Sequence, residues 1–514
     1  MRERERLGVL ERLVTDRKLL LGTVVLILLL ATFVRFYHIE WSFSNNGLDE
    51  GIMIERARLV GDGYALYTDL PCDQAPLAFY LGAPFGGDVV SLRSLSAAIS
   101  ILAIVAVMEA ARRVRGNLAM IAAGLLISFD FAFLRESRLF SLDGISSSFL
   151  AFALLAFVMH LQKRSRMMLT AAGFLVGLSA AAKLFGVLGL LGMIVFIFVE
   201  ARRDKGSHRV TLVDAALLII ASAIPLAAFM FYLGPGDMTQ GMVFNQGQRS
   251  FEPWLKLSLV AYFGLNLAYV LPLVYAKKTW SMGKETRFLL CVSVVILAFM
   301  VFQPLVFFHH LPIMSPSLAI LGGAFVSESL GIKKETTDRL APVVLTKKWN
   351  RVPTYAMALL CLTVLVSGGL AGYGLAVQEE PPQEHMSDDL EGMTKPEAWI
   401  VAGDPLICAY ADRSIPPGVV NVAYRQHPDL TLDDIERAIV DYNVTVVVLS
   451  GRLLQMDGIN ELLREYNFTV LLPRQYPMWK ASWVDYHAAL DFFQDDMGPV
   501  FILWRGTESG VPFP

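Results

Sequence analysis

Charged residues are scarce in this sequence. They make up 18% of its 514 residues, whereas a soluble globular protein has about a quarter, and 55% of the residues are hydrophobic. The mean hydropathy is correspondingly high, at +0.51. This scarcity of charge excludes an ordinary soluble domain. The net charge of −3 gives no reason to expect a nucleic-acid partner, and none is predicted.

Cysteine is rarer still, with four residues in the chain. No Cys and His spacing resembles a zinc site, so no metal centre of that kind is predicted. Cys291 and Cys361 fall inside apolar runs, where they are interpreted as small apolar filler. Cys72 and Cys408 fall in segments that are predicted to lie outside the membrane, where a disulfide could persist. A single pair in a single sequence is weak support for such a bond.

Long apolar runs are abundant instead. A helix that crosses a membrane needs about 20 mostly apolar residues, because each residue advances the helix by about 1.5 Å. The sequence has eleven such runs, and the fifth and sixth are short and meet at Lys183, which predicts a broken or tilted pair. The runs are 19–37, 92–111, 117–134, 143–161, 167–182, 184–200, 211–232, 254–276, 287–306, 311–330 and 353–376.

Basic residues cluster in every second loop between these runs. By the positive-inside rule those loops are cytoplasmic, and the other loops face outward. With an odd number of spans, the N-terminus is predicted inside and the C-terminus outside. The first run is long and has no small-residue cleavage site, so it is predicted to be a retained anchor. The basic clusters lie at 1–18, 112–115, 163–166, 201–209, 277–287 and 333–351.

The predicted fold is a polytopic α-helical membrane protein with a C-terminal extracytoplasmic α/β domain. Residues 1–376 form the transmembrane domain, in which 38–91 is a long first outer loop with interfacial helices. Residues 377–394 are polar and proline-bearing and read as a linker. Residues 395–514 alternate short apolar strands with helical patterns, which predicts a small, mostly parallel sheet. The predicted strands are AWIVAG, TVVVLS, FTVLL and VFILW.

Two local signals support this view of the C-terminal part. Thr431 followed by Asp434 predicts a capping box at the start of a helix. The sequons Asn443-Val-Thr and Asn467-Phe-Thr weakly support a location outside the membrane, because such triplets often occur by chance.

Ionisable residues gather in all five predicted outer turns. Ionisable side chains are energetically costly at that depth in a membrane, so they usually form ion pairs or line a water-filled cavity. Arg and Lys bind phosphate oxygens by charge-assisted hydrogen bonds, and a carboxylate beside a bound phosphate could accept a proton from an incoming hydroxyl. Together they predict group transfer from a lipid phosphate. Together with the neutral Gln74 in the first turn, the residues are Asp49, Glu50, Arg58, Tyr64, Tyr67, Asp69, Arg93, Arg135, Glu136, Arg138, Asp143, Lys183, Arg249, His309 and His310.

Each of these residues also has a purely structural interpretation. Asp49 could cap its helix, and Glu50 could interact with the helix dipole from the first turn. Arg58 could form a surface pair with Glu55, three residues earlier. Lys183 could extend to the lipid headgroups. Arg138 with Asp143 could form an interfacial salt bridge, His309 and His310 could hold a turn, and Tyr64 and Tyr67 could belong to an aromatic belt.

Four stretches in order resemble the membrane-embedded glycosyltransferases of the GT-C class, the group that contains the protein O-mannosyltransferases and the lipid A aminoarabinose transferase. The stretches are LDEGIMIERARLVGDGYALYTDL with QAPLAFYL behind it, RESRLFSLDG, GLSAAAKLFG and FFHHLPIMSPSLAILGGA. Together with the spans they cover about residues 19–330. Each stretch is loose by itself, and the ordered set is fairly specific.

The resemblance implies a hexose donor, such as mannose, on a polyprenyl or dolichyl phosphate, and transfer with inversion without a metal or cofactor. Asp49 would be the general base and Glu50 its partner. The donor phosphate would be bound by Arg138, Lys183 and Arg93. The acceptor would be a hydroxyl on a protein, lipid or glycan at the outer face of the membrane. The remaining cavity residues would be Arg58, Tyr67, Gln74, Asp143, His309 and His310.

One position departs from the pattern. Members of the class often carry Lys or His just before the proline of the first loop's later half, and this chain has Gln74-Ala75-Pro76. Glutamine supplies no positive charge. Either phosphate binding depends more on Arg138 and Lys183, or the donor differs from that of the class.

Two other function classes fit a polytopic chain. A lipid or glycan transporter or flippase would usually show internal repeats and charges deep in the bilayer, and neither is evident here. A structural or sensory protein with an outer binding domain would not need acids and cations in all five outer turns.

Overall fold

The structure is a computed structural model that is predominantly helical. It describes residues 12, 14–41, 47–204, 208–244, 256–330, 351–376, 378, 380–421, 430–454, 456–474 and 500–505. Arg249, one of the predicted outer-turn residues, lies outside these ranges.

The membrane part is built from helices throughout. Its α-helices are α1 (Arg17–Phe36), α2 (Gly47–Gly61), α3 (Leu77–Gly82), α4 (Val89–Arg115), α5 (Asn117–Phe129), α6 (Phe131–Arg138), α7 (Leu142–Lys163), α8 (Arg166–Ala182), α9 (Val187–Asp204), α10 (His208–Leu233), α11 (Pro235–Thr239), α12 (Leu257–Leu265), α13 (Leu267–Val274), α14 (Ala276–Ser281), α15 (Lys284–Phe302), α16 (Ser315–Ser329) and α17 (Arg351–Ala376). Short 3₁₀ turns span Ala83–Phe85, Leu184–Gly186 and Phe308–Met314, and a π-helical turn spans Gln240–Phe244.

Every one of the eleven apolar runs coincides with helical structure. Among the described residues, eight helical stretches are long and apolar enough to cross a membrane. Two bent pairs, α5 with α6 and α12 with α13, raise that number to ten if each pair is one span, and α8 is a shorter apolar helix. Within the stretch Phe308–Ser329, the apolar 18-residue window is entirely buried inside the bundle. The orientation of the bundle in the membrane stays a prediction.

Two polar residues break the bent pairs. The Asp130 carboxylate accepts a hydrogen bond from the Phe133 N–H at 3.1 Å and so caps the start of α6, and the two helices meet at 58°. Asn266 separates α12 from α13, which meet at 99°. These breaks turn the chain sideways within otherwise apolar runs. At the first break, the turn carries Glu136 and Arg138 across the end of the bundle.

The predicted break at Lys183 is confirmed. Lys183 ends α8 in an extended conformation, with φ −154° and ψ 135°, and the 3₁₀ turn Leu184–Gly186 follows. A Cβ at Gly186 would collide with the backbone of Ser179 and Ala180, so the chain folds back tightly there. The break leaves Lys183 between two helices rather than inside one.

The C-terminal part is a small α/β domain with a mixed sheet. The sheet order is β1-β2-β4-β3; β1 pairs with β2 in parallel, whereas β4 is antiparallel to both β2 and β3. The prediction of a mostly parallel sheet is therefore wrong for the described strands. Apolar runs show which segments are strands but not their direction. The elements are β1 (Ile400–Ala402), α19 (Pro405–Tyr410), α20 (Leu432–Asp441), β2 (Val446–Leu449), α21 (Gly451–Leu454), α22 (Ile459–Glu465), β3 (Phe468–Arg474) and β4 (Val500–Arg505).

The segment predicted as a linker contains a helix, α18 (Pro382–Met393). Met386 and Leu390 are fully buried in the same apolar core as the sheet. The Gln383 amide donates to the Asp404 carboxylate at 3.1 Å. The polar, proline-bearing sequence did not predict this helix, because the apolar face of the helix has only a few residues.

The local signals in this domain have clear structural roles. The Thr431 and Asp434 capping box is confirmed at the start of α20. Asn443 and Asn467 both have positive φ, 48° and 59°, directly after a helix. Asparagine tolerates this left-handed conformation better than most residues, so chain reversal explains both asparagines without glycosylation.

No disulfide joins the described cysteines: Cys72 and Cys408 are both buried free thiols. The suggestion that they pair is therefore wrong. Burial raises the pKa of the Cys72 thiol to about 11.

The α/β domain packs directly on α2. Ile52, Ile54 and Leu59 of α2 share one apolar core with Leu406 and the strands of the sheet. The two backbones come so close at Gly51 that a Cβ there would lie 2.8 Å from the Leu406 Cα. The end of the bundle that carries α2 and this domain, which we call the domain end, is therefore closed by a rigid contact.

We expect Gly51→Ala to weaken this contact. Overpacking against backbone costs about 1–3 kcal/mol, so the melting temperature should fall and protease cleavage between α17 and β1 should become faster. Gly392→Ala is the matched control, because Gly392 also lies in a helix and has no atom within 4 Å of its added Cβ. A melting temperature in Gly51→Ala equal to that of the control would contradict the close contact.

Candidate active site

A cavity of about 550 Å³ lies at the domain end of the bundle. Residues from all five predicted outer turns line it, and the α/β domain contributes Asn421. Its apolar lining comes mainly from α2, the segment 139–142, the 3₁₀ turn after Lys183, α9 and the chain from the end of α15 to Phe307. The polar residues that line it are Asp49, Glu50, Arg56, Asp73, Gln74, Glu136, Ser141, Asp143, Lys183, Gln303, His309, His310 and Asn421.

One face of α2 forms a wall of this cavity. Asp49, Ile52, Met53 and Arg56 all line it, at the spacing that places residues on one side of a helix. The helix begins at Gly47, so Asp49 lies within the first turn and is not the capping residue. Asp49 is half-buried, whereas Glu50 is 3% exposed.

Glu50 is held by a buried ion pair. The Arg93 guanidinium donates from Nε to Glu50 Oε1 at 2.8 Å and from Nη2 to Oε2 at 2.7 Å. The Phe140 N–H donates to Oε1 at 3.0 Å. This bidentate geometry fixes the Glu50 carboxylate, and with it the first turn of α2.

Arg93 does not line the cavity. Besides Glu50, its guanidinium donates to the carbonyl oxygens of Ile39 and Glu40, at 3.0 and 2.7 Å, and to the Tyr410 hydroxyl at 3.2 Å. Protein acceptors thus occupy much of this side chain, and its binding of the donor phosphate stays a prediction that this geometry does not favour.

Arg138 also serves a structural purpose. It donates to the carbonyl oxygens of Val34 and Tyr37, at 2.6 and 2.8 Å, and to that of His38 at 3.2 Å. These carbonyls lie at the end of α1, where helices lack internal partners. Arg138 is 1% exposed and does not line the cavity; its predicted phosphate role stays untested, and the contacts that it makes are those of a helix cap.

Lys183 and Asp143 meet inside the cavity. The Lys183 ammonium forms an ion pair with the Asp143 carboxylate, which lies in the first turn of α7. The same ammonium is 5.6 Å from the centre of the Phe185 ring. Of the three cations predicted to bind phosphate, Lys183 is the one that lines the cavity.

Glu136 and the two histidines complete the polar part of the lining. Glu136 forms an ion pair with Arg135 at 3.2 Å and accepts a hydrogen bond from the Ser141 hydroxyl. His310 Nδ1 accepts from the Phe307 N–H at 3.4 Å. His309 stacks on Phe307 with ring centres 5.3 Å apart.

Two other predicted cavity residues lie outside the lining. The Tyr67 hydroxyl donates to the Gln74 carbonyl at 2.6 Å and braces the loop that presents Gln74. Arg58 lies between Glu55 at 3.6 Å and Asp412 of the α/β domain at 3.3 Å. The pair of Arg58 with Glu55 is therefore neither in the cavity nor on the surface, because the α/β domain covers it.

Sequence reasoning missed Arg56, Asp73 and Asn421 as cavity residues. A signal existed for Arg56, because helical spacing puts it on the same side of α2 as Asp49 and Ile52. Asn421 could not be found, because nothing in the sequence indicates which loop of the α/β domain approaches the cavity. Among the described residues, no group of three or more His, Cys, Asp or Glu side chains could hold a metal ion.

The comparisons with known proteins agree on the fold. Residues 73–229 match the family described as dolichyl-phosphate-mannose-protein mannosyltransferase. No curated protein sequence matches the chain. ArnT from Cupriavidus metallidurans in the apo state is 15% identical, with a TM-score of 0.62 over 94% of this chain and 98% of that one. ArnT bound to undecaprenyl phosphate is 14% identical, also with a TM-score of 0.62, over 96% and 99%.

A second group of similar structures comes from an archaeon. The apo oligosaccharyltransferase of Archaeoglobus fulgidus is 14% identical, with a TM-score of 0.57 over 88% of this chain and 73% of that one. The resemblance to the GT-C class is thereby confirmed, and the chain has the fold of these membrane glycosyltransferases.

We expect stability to depend on pH through Glu55. Burial raises the pKa of this carboxyl from 4.5 to about 7, although Arg58 and the Ile415 N–H, which donates to it at 2.6 Å, act in the opposite direction. The unfolded chain loses this proton near 4.5 and the folded chain near 7. Stability should therefore fall as the pH rises between these values.

The test compares the melting temperature at pH 5 and pH 7.5. In Glu55→Gln the fall should be smaller than in the wild type, because the titrating group is gone. Glu397→Gln, at an exposed position of the α/β domain that packs on α2, should keep the wild-type fall. The same fall in all three proteins would contradict the assignment.

Proposed function

We propose that this protein is an integral membrane glycosyltransferase. It transfers a sugar, a hexose such as mannose, from a polyprenyl-phosphate carrier to an acceptor hydroxyl on the extracytoplasmic side of the membrane. The acceptor oxygen forms a bond to the anomeric carbon, while the bond from that carbon to the phosphate oxygen breaks, and the configuration inverts. Polyprenyl phosphate leaves, and the acceptor proton passes to a carboxylate.

The main support for this proposal is that the cavity has both a charged part and an apolar part. Asp49, Lys183 and Asp143 share it with the apolar side chains of Val187, Leu188 and Phe299, which lie on α9 and α15. A lipid-linked phosphate needs both environments, because its head is anionic and its chain is apolar. Val187 and Phe299 are also exposed, at 41% and 36%, as expected where an apolar chain enters.

Asp49 is the general base of the proposal. It lies on the cavity wall, and its neighbour Glu50 is tied to Arg93, so the first turn of α2 is fixed while Asp49 faces the space where an acceptor would bind. A rigid base is an advantage, because proton transfer requires a donor–acceptor distance of about 2.6–3.2 Å. Glu50 acts as a positioning residue.

Lys183 binds the phosphate in this proposal. The phosphate gains negative charge as the bond to the sugar breaks, and a fixed cation stabilises that charge. Asp143 orients the ammonium. The lipid class has support from the similar ArnT structure, which contains undecaprenyl phosphate.

The α/β domain contributes to acceptor choice in this proposal. It packs on the helix that carries Asp49, and Asn421 lines the cavity. An amide can both donate and accept hydrogen bonds, which suits a hydroxyl-bearing acceptor.

We expect Asp49→Asn to lose about 10²–10⁴-fold of the transfer rate, because asparagine cannot take the acceptor proton. The assay incubates purified protein with labelled polyprenyl-phosphate sugars and a lipid extract, and detects label that moves to an acceptor. Asp62→Asn, an exposed aspartate just after α2, is the matched control and should keep full activity. Full activity in Asp49→Asn at an unchanged melting temperature would rule out this base.

We also expect Lys183→Gln and Arg138→Gln to have different effects. Loss of Lys183 should lower kcat/KM by about 10–100-fold, because a charge-assisted bond to the phosphate is lost. Loss of Arg138 should lower the melting temperature, because the carbonyls of Val34 and Tyr37 lose their donor. The kcat/KM of each variant is measured at a temperature at which that variant is folded, and the melting temperatures are measured separately. An unchanged kcat/KM in Lys183→Gln would remove it from the phosphate site.

A further inference from the structure

We propose that Arg56 is the second cation that binds the donor phosphate, a role that rests on the proposed function. Of the described arginine residues, Arg56 is the one that lines the cavity, and it is 1% exposed. It lies two turns along α2 from Asp49, on the same face of the helix. A charge so well buried needs compensation, since an isolated ion is costly to bury, and an ion pair with Asp73 supplies part of it.

The protein uses little of the hydrogen-bonding capacity of Arg56. Its Nη2 donates to the Pro71 carbonyl at 2.9 Å. Its Nη1 is 3.7 Å from the Asp73 carboxylate, a distance too long for a hydrogen bond. Among the described residues, Nε is buried and has no hydrogen-bond partner. A guanidinium has five N–H groups, so Arg56 can still donate to the oxygens of a phosphate.

Three other arginines near this end of the bundle differ from Arg56. Arg93 and Arg138 donate to several backbone carbonyls, and Arg58 lies between two carboxylates at the domain contact. None of the three lines the cavity. The cations available to a ligand in the described cavity are therefore Arg56 and Lys183.

Asp73 identifies the place in the cavity where Arg56 acts. The Gln74 side-chain amide donates to Asp73 Oδ2 at 3.3 Å, while Arg56 approaches Oδ1 of the same carboxylate. The amide and the guanidinium thus approach the two oxygens of one carboxylate, and both residues line the cavity. Gln74 is neutral, so Arg56 supplies the positive charge there. A cation at position 74 would occupy the same place.

The loop that holds these groups is well braced. The Tyr67 hydroxyl binds the Gln74 carbonyl, and Gly241 of the π-helical turn packs against the backbone of Cys72 so closely that no Cβ would fit. The Pro71 carbonyl, and hence Arg56, is therefore held in position before a ligand arrives. A preorganised donor stabilises the charge that develops on the leaving phosphate without having to reorient.

The experiment measures binding of undecaprenyl phosphate to the purified full-length protein, with the corresponding polyprenol, which lacks the phosphate, as the second ligand. Arg56→Gln should raise the Kd for undecaprenyl phosphate by about 10–100-fold and leave that for the polyprenol unchanged. Arg56→Gln combined with Gln74→Lys should recover most of the affinity, because the lysine restores a cation beside Asp73.

Two further variants keep the test decisive. Arg58→Gln, two residues along the same helix and outside the cavity, should keep the wild-type Kd once folded. Gln74→Lys alone should tighten binding of undecaprenyl phosphate, which tests the site even if Arg56→Gln does not fold. An unchanged Kd in Arg56→Gln, or in Gln74→Lys alone, would overturn this inference. Failure of the wild type to bind undecaprenyl phosphate would instead overturn the proposed donor class.

Discussion

The buried ion pair between Glu50 and Arg93 is the contact on which the cavity depends. It joins α2 to α4, receives the Phe140 N–H, and reaches the α/β domain through Tyr410. A buried pair adds little net stability over an apolar pair, but removal of one partner leaves an uncompensated charge and costs about 3–5 kcal/mol. The pair therefore specifies geometry: it determines where the first turn of α2, and hence Asp49, lies.

The arginine residues fall into two groups, according to whether protein acceptors take up their N–H groups or leave them directed into the cavity. The sequence shows that cations gather at one face of the membrane part, but an arginine side chain is long enough to reach in several directions. Its final direction depends on which carbonyl oxygens other elements leave without partners. The Arg138 guanidinium donates to carbonyl oxygens at the end of α1. The Arg93 guanidinium donates to Glu50 and to carbonyl oxygens of the chain after α1. Arg56 finds fewer acceptors and stays in the cavity.

The fold was largely predictable where one pattern dominates. All eleven apolar runs are helical, the break at Lys183 follows from two short runs that meet at a charged residue, and Thr431 with Asp434 marks the start of α20. Helix α18 and the direction of β4 could not be predicted, because both depend on packing against distant segments. The site was predictable as a region: Asp49, Lys183 and the histidine pair line the cavity, whereas Arg93, Arg138, Arg58 and Tyr67 do not.

The Tyr410 hydroxyl has a consequence for biosynthesis. It donates to the Glu40 carbonyl and accepts from Arg93, although 317 residues of chain separate Arg93 from Tyr410. A ribosome completes Tyr410 only after every apolar segment has been made. The surroundings of Arg93 are thus finished last, and a truncated nascent chain holds Arg93 and the Glu40 carbonyl without the tyrosine that joins them. Chimeras that exchange the α/β domain between related enzymes would need to retain a hydroxyl at this position.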